Sequence, residues 1–181
     1  MNLIGVTARF VLCACLAAVS QGGDRWVVRE GGVGAATIGM SLAQLNTALH
    51  QKFSAPAEKD EERCFYVSPW GHDHVAFMIV DGKFARIDVD APGVPTTSGI
   101  QVGDSEAHAR EVYGSRVKVT PHAYTDSGHY LTVRSADGRF GIRFETNNGK
   151  ITAFYAGRYA AIQYIEAVSY THLTLPTILR V

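Results

Sequence analysis

The sequence predicts an α+β fold in which two tandem helix-plus-antiparallel-meander repeats form one antiparallel sheet with the helices on one face. Residues 38–43 read Ile-Gly-Met-Ser-Leu-Ala and open a helix-like stretch, and residues 102–107, Val-Gly-Asp-Ser-Glu-Ala, open another 64 positions later. Strands joined at a Gly-Lys turn follow each opening, at residues 82–83 and 149–150. A unit of this size that occurs twice indicates two small α+β modules in one body.

The first repeat is predicted to begin with a helix capped by Ser41. The Ser41 hydroxyl can accept a hydrogen bond from a free amide of the first turn, and Gln44 completes a capping box. Pro56 prevents the helix from continuing. Glycines at positions 31, 32 and 34 predict a flexible entry, after a short strand near Trp26. The apolar residues at helical spacing are Leu42, Leu45, Ala48, Leu49 and Phe53.

Strands and one tight turn complete the first repeat. Asp81-Gly82 is a strong signal for a two-residue hairpin turn, because both turn positions need positive φ. Residues 91–98, rich in Pro, Gly and Thr, form the connector to the second repeat. The predicted strands are residues 65–67, 74–80 and 83–90.

The second repeat follows the same plan. Ser105 is the predicted helix cap and Gly114 the helix terminator. Apolar residues alternate with Gly and Arg along residues 140–144, which predicts that Arg143 faces solvent while its neighbours face the core. The predicted strands are residues 117–119, 129–134, 139–146 and 150–157, with turns at residues 137–138 and 148–149.

The first 20 residues are predicted to be an export signal. Arg9 precedes an apolar run at residues 10–19, and small residues occupy the −3 and −1 positions before a cleavage site after Ser20. The run is too short to span a bilayer, which needs about 20 apolar residues. A second interpretation is a lipid anchor at Cys15. Either interpretation places the protein in the bacterial envelope, as a periplasmic or secreted protein.

The C-terminal end resembles a peptide that recurs at the ends of unrelated metagenomic proteins and looks like translated sequencing adapter. The resemblance covers residues 168–177, Val-Ser-Tyr-Thr-His-Leu-Thr-Leu-Pro-Thr. A short terminal strand is the other interpretation, since Tyr, Thr, Leu and Ile suit one. The expected organisation is a signal peptide at residues 1–20, a first repeat at 21–98, a second repeat at 99–166 and a non-native tail at 167–181.

Composition excludes several classes of partner. The chain has 17 basic and 17 acidic residues and no long basic run, which argues against nucleic acid as a partner. No segment after the signal is apolar enough to cross a membrane. Cys64 is left without a partner once the signal is removed, so it is predicted to be a buried thiol, part of an intermolecular bridge or separated from a missing partner.

The helix openings resemble those of two groups of envelope proteins. The secreted β-lactamase inhibitor protein and the small outer-membrane assembly lipoproteins share a hydrophobic-Gly-Met-Thr/Ser helix start before antiparallel strands, similar to residues 38–41 and 102–105 here. The chain also resembles uncharacterised exported bacterial proteins that end with Ala-Gly-Arg-Tyr and Tyr-Ile-Glu, here residues 156–159 and 164–166. These resemblances imply an exported α+β protein and bring no assigned activity.

Two histidine clusters are candidates for chemistry. His72 and His74 are two residues apart, so on a strand they would point to the same side and could begin a zinc site. His122 and His129 bracket a Thr-Asp-Ser stretch, but no motif for an oxyanion hole accompanies it. No catalytic residue and no cofactor is therefore assigned, and His72 and His74 remain weak metal candidates.

An aromatic and basic binding surface is the leading functional hypothesis, because interfaces favour Trp, Tyr and Arg. The expected function is an exported non-catalytic binding or inhibitory module that acts on another envelope protein. The alternative is an exported small-ligand or metal-binding protein, or an enzyme, that uses the His72/His74 or the His122/His129 region. The candidate binding residues are Trp70, His72, Tyr124, His129, Tyr155, Arg158 and Tyr159.

Overall fold

The computed structural model describes residues 26–57 and 63–164, which form two antiparallel sheets and two helices. The predicted signal peptide and tail lie outside these residues. The helices are α1 (Leu42–Leu49) and α2 (Glu106–Tyr113). The small sheet has strands β1 (Val28–Arg29), β2 (Gly32–Val33) and β3 (Ala36–Thr37). The large sheet has strands β4 (Cys64–Val67), β5 (Val75–Val80), β6 (Lys83–Val89), β7 (Val117–Pro121), β8 (His129–Arg134), β9 (Phe140–Asn147) and β10 (Lys150–Arg158).

The predicted α+β class with an antiparallel sheet is confirmed. The large sheet has the order β4-β5-β6-β10-β9-β8-β7, and every neighbouring pair is antiparallel. β6 and β10 are neighbours although they are far apart in sequence, so their pairing joins the strands of the two halves into one sheet. In the part of the chain that the structure describes, no helix is long and apolar enough to cross a bilayer.

Both helices pack on the same face of the large sheet. Leu45 of α1 and Ala109 of α2 are buried in a single apolar cluster with alternate residues of the strands. Tyr113 lies against Phe144, with ring centroids 5.6 Å apart. Burial of each large apolar side chain contributes about 1.5–3 kcal/mol, so this shared cluster holds both helices to the sheet. The opposite face of the sheet is called the helix-free face below.

Local signals in the sequence set the helix ends and the hairpin turn. The Ser41 hydroxyl accepts from the Gln44 amide and the Gln44 side chain accepts from the Ser41 amide, which confirms the capping box. Ser105 caps α2 and Gly114 ends it, as predicted. Asp81 and Gly82 have φ values of 48° and 70°, so both turn positions are left-handed as the hairpin requires.

The expectation of a flexible glycine entry is wrong. Gly32 and Val33 form β2, the central strand of the small sheet, and both are buried. A Cβ at Gly32 would lie 2.1 Å from the Ala36 carbonyl oxygen, so glycine is needed here for close packing rather than for flexibility. The connector is also anchored, because the Val28 amide donates to the Pro95 carbonyl at 2.8 Å.

The two halves share a pattern of backbone hydrogen bonds that joins the residues before each helix to a hairpin strand, and this set of bonds is called a clip below. In the first half the Gly39 amide donates to the Phe84 carbonyl and the Phe84 amide donates to Met40, both at 2.8 Å. In the second half Gly103 and Ile151 form the corresponding bond at 2.9 Å. Each clip places a capping serine opposite the lysine of a Gly-Lys turn, at Ser41–Lys83 and at Ser105–Lys150.

The two hairpins also carry the same irregularity. Between β5 and β6 the register shifts so that Ala85 is unpaired, and between β9 and β10 it shifts so that Thr152 is unpaired. Ala85 and Thr152 each stand two residues after the lysine of the turn. When the hairpins are matched at these bulges, Asp88 corresponds to Tyr155, and the two residues pair directly across β6 and β10.

Candidate functional site

The helix-free face carries a connected set of polar and aromatic side chains instead of a second apolar layer. These residues alternate along the strands with those of the apolar cluster, so they point away from the helices. The set extends across six neighbouring strands, from β4 to β8, and takes residues from all of them except β5. It consists of Tyr66, Arg86, Asp88, Tyr130, Arg143, Glu145 and Tyr155.

Arg86 is the centre of this set and is fully buried. Its Nε and Nη2 atoms donate to the two oxygens of Asp88 at 2.6 and 2.7 Å, and Nη2 also donates to the Tyr66 hydroxyl at 2.6 Å. Its Nη1 atom donates to the carbonyls of Ala161 and Tyr164 at 3.0 and 3.1 Å. All five N–H groups of the guanidinium therefore have partners within the chain.

The charges of Arg86 and Asp88 support each other in this buried position. Burial raises the pKa of the Asp88 carboxyl, against the opposing effect of the two hydrogen bonds from Arg86. Burial acts to lower the pKa of Arg86, but the hydrogen bonds and charge of Asp88 more than offset it, so the pKa lies above its ordinary value. Arg86 is thus a fixed cation in the middle of the sheet.

Tyr155 links the first half of the face to the second. The Arg86 guanidinium lies over its ring, 4.4 Å from the centroid, and its hydroxyl donates to Glu145 Oε1. Burial, followed by the hydrogen bond and negative charge of Glu145, raises the pKa of Tyr155 well above its ordinary range. Tyr155 consequently stays a neutral hydrogen-bond donor at all physiological pH values.

Arg143 does not face solvent as predicted but lies buried on the helix-free face. Its Nε donates to the Thr132 hydroxyl at 3.1 Å, and Nη2 donates to the side chain of Gln163. Burial lowers the pKa of Arg143. The prediction failed because the segment after β10 folds back over this face, and a long-range contact of that kind leaves no local signal in β9.

The segment that folds back is a 3-10 turn, Ala161–Gln163. Arg86 holds its first carbonyl, and Arg143 holds the Gln163 side chain. Gly141 makes room for this turn, since a Cβ there would lie 2.8 Å from Ile162 and 3.3 Å from Tyr159. The Arg134 guanidinium lies over the Tyr159 ring, 4.2 Å from its centroid. The helix-free face is therefore partly covered at one end.

The loop between β7 and β8 borders the same face. His122 stacks on Tyr130 with ring centroids 4.5 Å apart, and its Nε2 lies 3.7 Å from Glu145 Oε2. The Tyr124 amide donates to His122 Nδ1 at 3.1 Å, which fixes the base of an exposed tyrosine. Tyr124 therefore stands at the rim of the helix-free face.

The structure brings only some of the predicted binding residues together. Tyr155, Tyr159 and Tyr124 lie on or beside the helix-free face. His129 is on the helix side, where its Nδ1 atom lies 3.0 Å from Glu106 Oε2. Arg158 is exposed at the end of β10. Trp70 and His72 belong to the loop between β4 and β5, and His72 stacks on Trp26 at 3.8 Å.

The weak metal candidates have other partners. His74 Nδ1 lies 3.1 Å from Asp90 Oδ1, whereas the His72 ring is occupied by its stack on Trp26. Within residues 26–57 and 63–164, no group of three His, Cys, Asp or Glu side chains is placed to hold a metal ion. In the other histidine cluster the Ser127 hydroxyl donates to Asn147 at 3.0 Å.

Sequence reasoning missed Tyr66, Arg86 and Tyr130 as members of the face. A regular strand would place Phe84 and Arg86 on the same side, because they are two residues apart. The bulge at Ala85 puts them on opposite sides, so Phe84 joins the core and Arg86 does not. The sequence carries a signal for this bulge. Ala85, Ile87 and Val89 alternate with Arg86 and Asp88, but the apolar Phe84 falls at a polar position of that alternation.

Comparison with known proteins adds little to this description. No protein-family model matches the chain, and no curated protein matches it. A solved structure of the uncharacterized protein yfeY from Escherichia coli is similar, with a TM-score of 0.40 and 15% sequence identity over 73% of this chain and 99% of that one. We draw no functional conclusion from so weak a likeness, and the resemblance to inhibitors and assembly lipoproteins stays a prediction.

Proposed function

We propose that the protein is an exported, non-catalytic binding module that recognises another protein of the bacterial envelope. The observation that carries the proposal is the placement of its exposed aromatic side chains. Among the described residues the large exposed apolar side chains are Trp70, Tyr124, Tyr164 and Val112, which are 87%, 69%, 50% and 38% exposed. Trp and Tyr are the residues most often found at the energetic centres of protein interfaces.

The backbone of each exposed aromatic residue is held by a hydrogen bond. The Trp70 amide donates to the Gln51 side chain at 3.1 Å, and the Tyr124 amide donates to His122. The Tyr164 carbonyl accepts from Arg86. A backbone that is already held in place loses less conformational entropy on binding, so these three residues are suited to be contact points.

The two most exposed of these residues lie at the same end of the large sheet. Trp70 is in the loop that enters β5 and Tyr124 in the loop that enters β8. The starts of β5 and β8 lie at the same end, because Val75 pairs with Val89 at the end of β6, and Tyr130 pairs with Glu145 near the end of β9. A partner that contacts both loops would lie along this end of the sheet.

We also propose that the two halves are copies of one helix-plus-hairpin unit. The matched clips between helix and hairpin and the matched bulges at Ala85 and Thr152 support this. In this arrangement the Asp88–Tyr155 pair lies on the two-fold axis that relates the halves. The polar centre of the helix-free face is then the seam between two copies.

The proposal is tested by capture of partners from envelope extract with the full chain as bait. Trp70→Ala and Tyr124→Ala should reduce capture about tenfold or more, because truncation of an interface aromatic commonly costs over 1 kcal/mol of binding. Both residues are exposed, so the free energy of unfolding should change by no more than about 0.5 kcal/mol.

Val112→Ala is the matched control, since Val112 is exposed on α2, away from both loops. It should leave capture unchanged. Equal capture by the wild type and both aromatic variants would contradict the proposed contact residues. Absence of any specific partner for the wild type would contradict the function.

A further inference from the structure

Within residues 26–57 and 63–164, the outer edge of β4 has backbone groups that pair with no other strand. β4 pairs with β5, and no other described strand lies beside it. The Asp81 amide donates to the Arg63 carbonyl at 2.9 Å, so Arg63 and Asp81, which stand just before Cys64 and just after Val80, are a hydrogen-bonded pair. Because such pairs alternate along an antiparallel ladder, the amides and carbonyls of Cys64 and Tyr66 point away from β5.

The corresponding strand of the second half is not an edge. Met78 in β5 and Glu145 in β9 correspond to each other, because each is the last regularly paired residue before its bulge. Tyr66 of β4 pairs with Met78, and Tyr130 of β8 pairs with Glu145. β4 therefore corresponds to β8. β8 has a further neighbour, β7, on the side that is open in β4.

β7 occupies the backbone groups of β8 that correspond to the open ones of β4. The His122 amide donates to the Gly128 carbonyl at 3.0 Å, and by the same alternation Thr120 is hydrogen-bonded to Tyr130. Gly128 and Tyr130 correspond to Cys64 and Tyr66. The first half thus has a position for one more strand, which no described strand fills.

The described segment of the first half that corresponds to β7 is prevented from filling this position. Counted from the capping serines Ser41 and Ser105, Phe53 corresponds to Val117 and Pro56 corresponds to Thr120. Pro56 has no amide to donate where Thr120 donates to β8. The Phe53 amide and carbonyl are both bonded to the Asn46 side chain, at 2.6 and 2.9 Å.

The opposite edge of the sheet is protected in a way that β4 is not. In β7 the residues that alternate with Thr120, including Pro121, have backbone groups that point away from β8. Because proline has no amide hydrogen, Pro121 removes one donor from this outer edge. Lys118 also lies on this strand, and lysine is common on protected edges. β4 carries neither proline nor lysine, so it is the edge suited to pairing.

We infer that β4 accepts an extended strand of the partner protein, antiparallel to it, as β8 accepts β7. This inference rests on the proposed function and gives the binding mode. Main-chain hydrogen bonds to Cys64 and Tyr66 supply the affinity. Specificity comes from the helix side, where Phe65 and Val67 would contact two residues of the partner. Phe65 and Val67 correspond to His129 and Leu131, which lie opposite Pro121 and Val119 of β7.

The test uses a synthetic peptide with the sequence of residues 115–123, Ser-Arg-Val-Lys-Val-Thr-Pro-His-Ala, and the full chain under reducing conditions. Amide hydrogen exchange of Cys64 and Tyr66 is measured by NMR. Without peptide both amides should exchange quickly, while that of Phe65, which is bonded to β5, exchanges slowly. Millimolar peptide should slow the exchange of Cys64 and Tyr66 about tenfold.

Two controls make the result specific for backbone pairing. A peptide with proline in place of Thr120 should give no protection. Cys64→Pro, which removes one outward amide and keeps the pairing with β5, should abolish protection of Tyr66, whereas Cys64→Ala should keep it.

Three results would overturn the inference. They are no protection by the first peptide, equal protection by the proline peptide, and protection without peptide that grows with protein concentration, which would show that a second copy occupies the edge. The partner capture described above decides the proposed function separately, because it measures whether the chain has a specific partner and whether Trp70 and Tyr124 contact it, by whatever binding mode.

Discussion

At the scale of single residues, the turn between β5 and β6 depends on backbone conformation alone. Gly82 has a φ of 70°, and a Cβ at this position would meet no atom within 4 Å. Gly82→Val should therefore lower the free energy of unfolding by about 1 kcal/mol or more, because a β-branched residue is strained at positive φ. Urea unfolding measures the change.

Gly31→Val is the matched control for this turn. Gly31 also has open space around its Cβ position, and its φ is not positive. It should cost clearly less than Gly82→Val. Equal losses in the two variants would show that the conformation of Gly82 does not determine the stability of the hairpin.

The residues that local chemistry specifies were predictable, and those specified by distant contacts were not. Ser41 and Gly82 act within a few positions of themselves, so a cap and a turn could be recognised from the sequence. Arg86 and Arg143 take their roles from residues 161–164, which are far away along the chain. The alternation in β6 indicates on which face Arg86 lies, but no pattern within β6 or β9 shows whether a distant segment covers an arginine on that face.

At the scale of elements, α2 is attached to the sheet by a buried carboxylate. Glu106 accepts from the Thr146 hydroxyl at 2.9 Å and contacts His129 at 3.0 Å, and Arg110 lies 3.4 Å away. Burial acts to raise the pKa of Glu106, but the hydrogen bonds of His129 and Thr146, with the charges of His129 and Arg110, lower it below its ordinary value.

This attachment predicts a loss of stability in acid. A carboxyl with a lowered pKa in the folded state stabilises the fold above its unfolded pKa, near 4.5, and that contribution is lost as the pH falls through the folded value. Glu106→Gln should therefore be less stable than the wild type at pH 6, with the difference shrinking towards pH 3. Urea unfolding at several pH values measures it, and a difference that stays constant with pH would contradict this role of Glu106.

The elements of the large sheet were predicted more accurately than those of the small one. Strands such as β8 carry alternating apolar residues and clear turn signals at their ends. β2 and β3 are two residues long, which is too short for any periodicity. They are strands because the small sheet buries Val28, Val33 and Ala36 in the common core, and that tertiary contact outweighs the turn-like composition.

At the scale of the whole molecule, Arg86 connects four parts of the chain: β4, β6, β10 and the turn at residues 161–163. Arg86→Met should lower the free energy of unfolding by about 3–5 kcal/mol, because it leaves the Asp88 carboxylate buried without its partner. The double variant Arg86→Met, Asp88→Leu should recover a large part of this loss, since an apolar pair avoids the cost of a lone buried charge.

Urea unfolding of the wild type, the two single variants and the double variant measures this coupling as a double-mutant cycle. A double variant as unstable as the sum of the two single variants would show that the ion pair is not what holds these parts together. The arrangement itself could not be predicted from the sequence, because the pairing of β6 with β10 depends on residues such as Asp88 and Tyr155 that are distant along the chain.

The pairing of Asp88 with Tyr155 has a consequence for what a single chain can do that a symmetric dimer cannot. In a homodimer of one such unit, the residue on the axis faces its own copy, so an aspartate would face an aspartate and the two charges would repel. In this single chain the two paired positions differ, since one is an aspartate and the other a tyrosine. The cation Arg86 then has the Asp88 carboxylate and the Tyr155 ring as its neighbours, so the two halves of the helix-free face differ in charge where they meet.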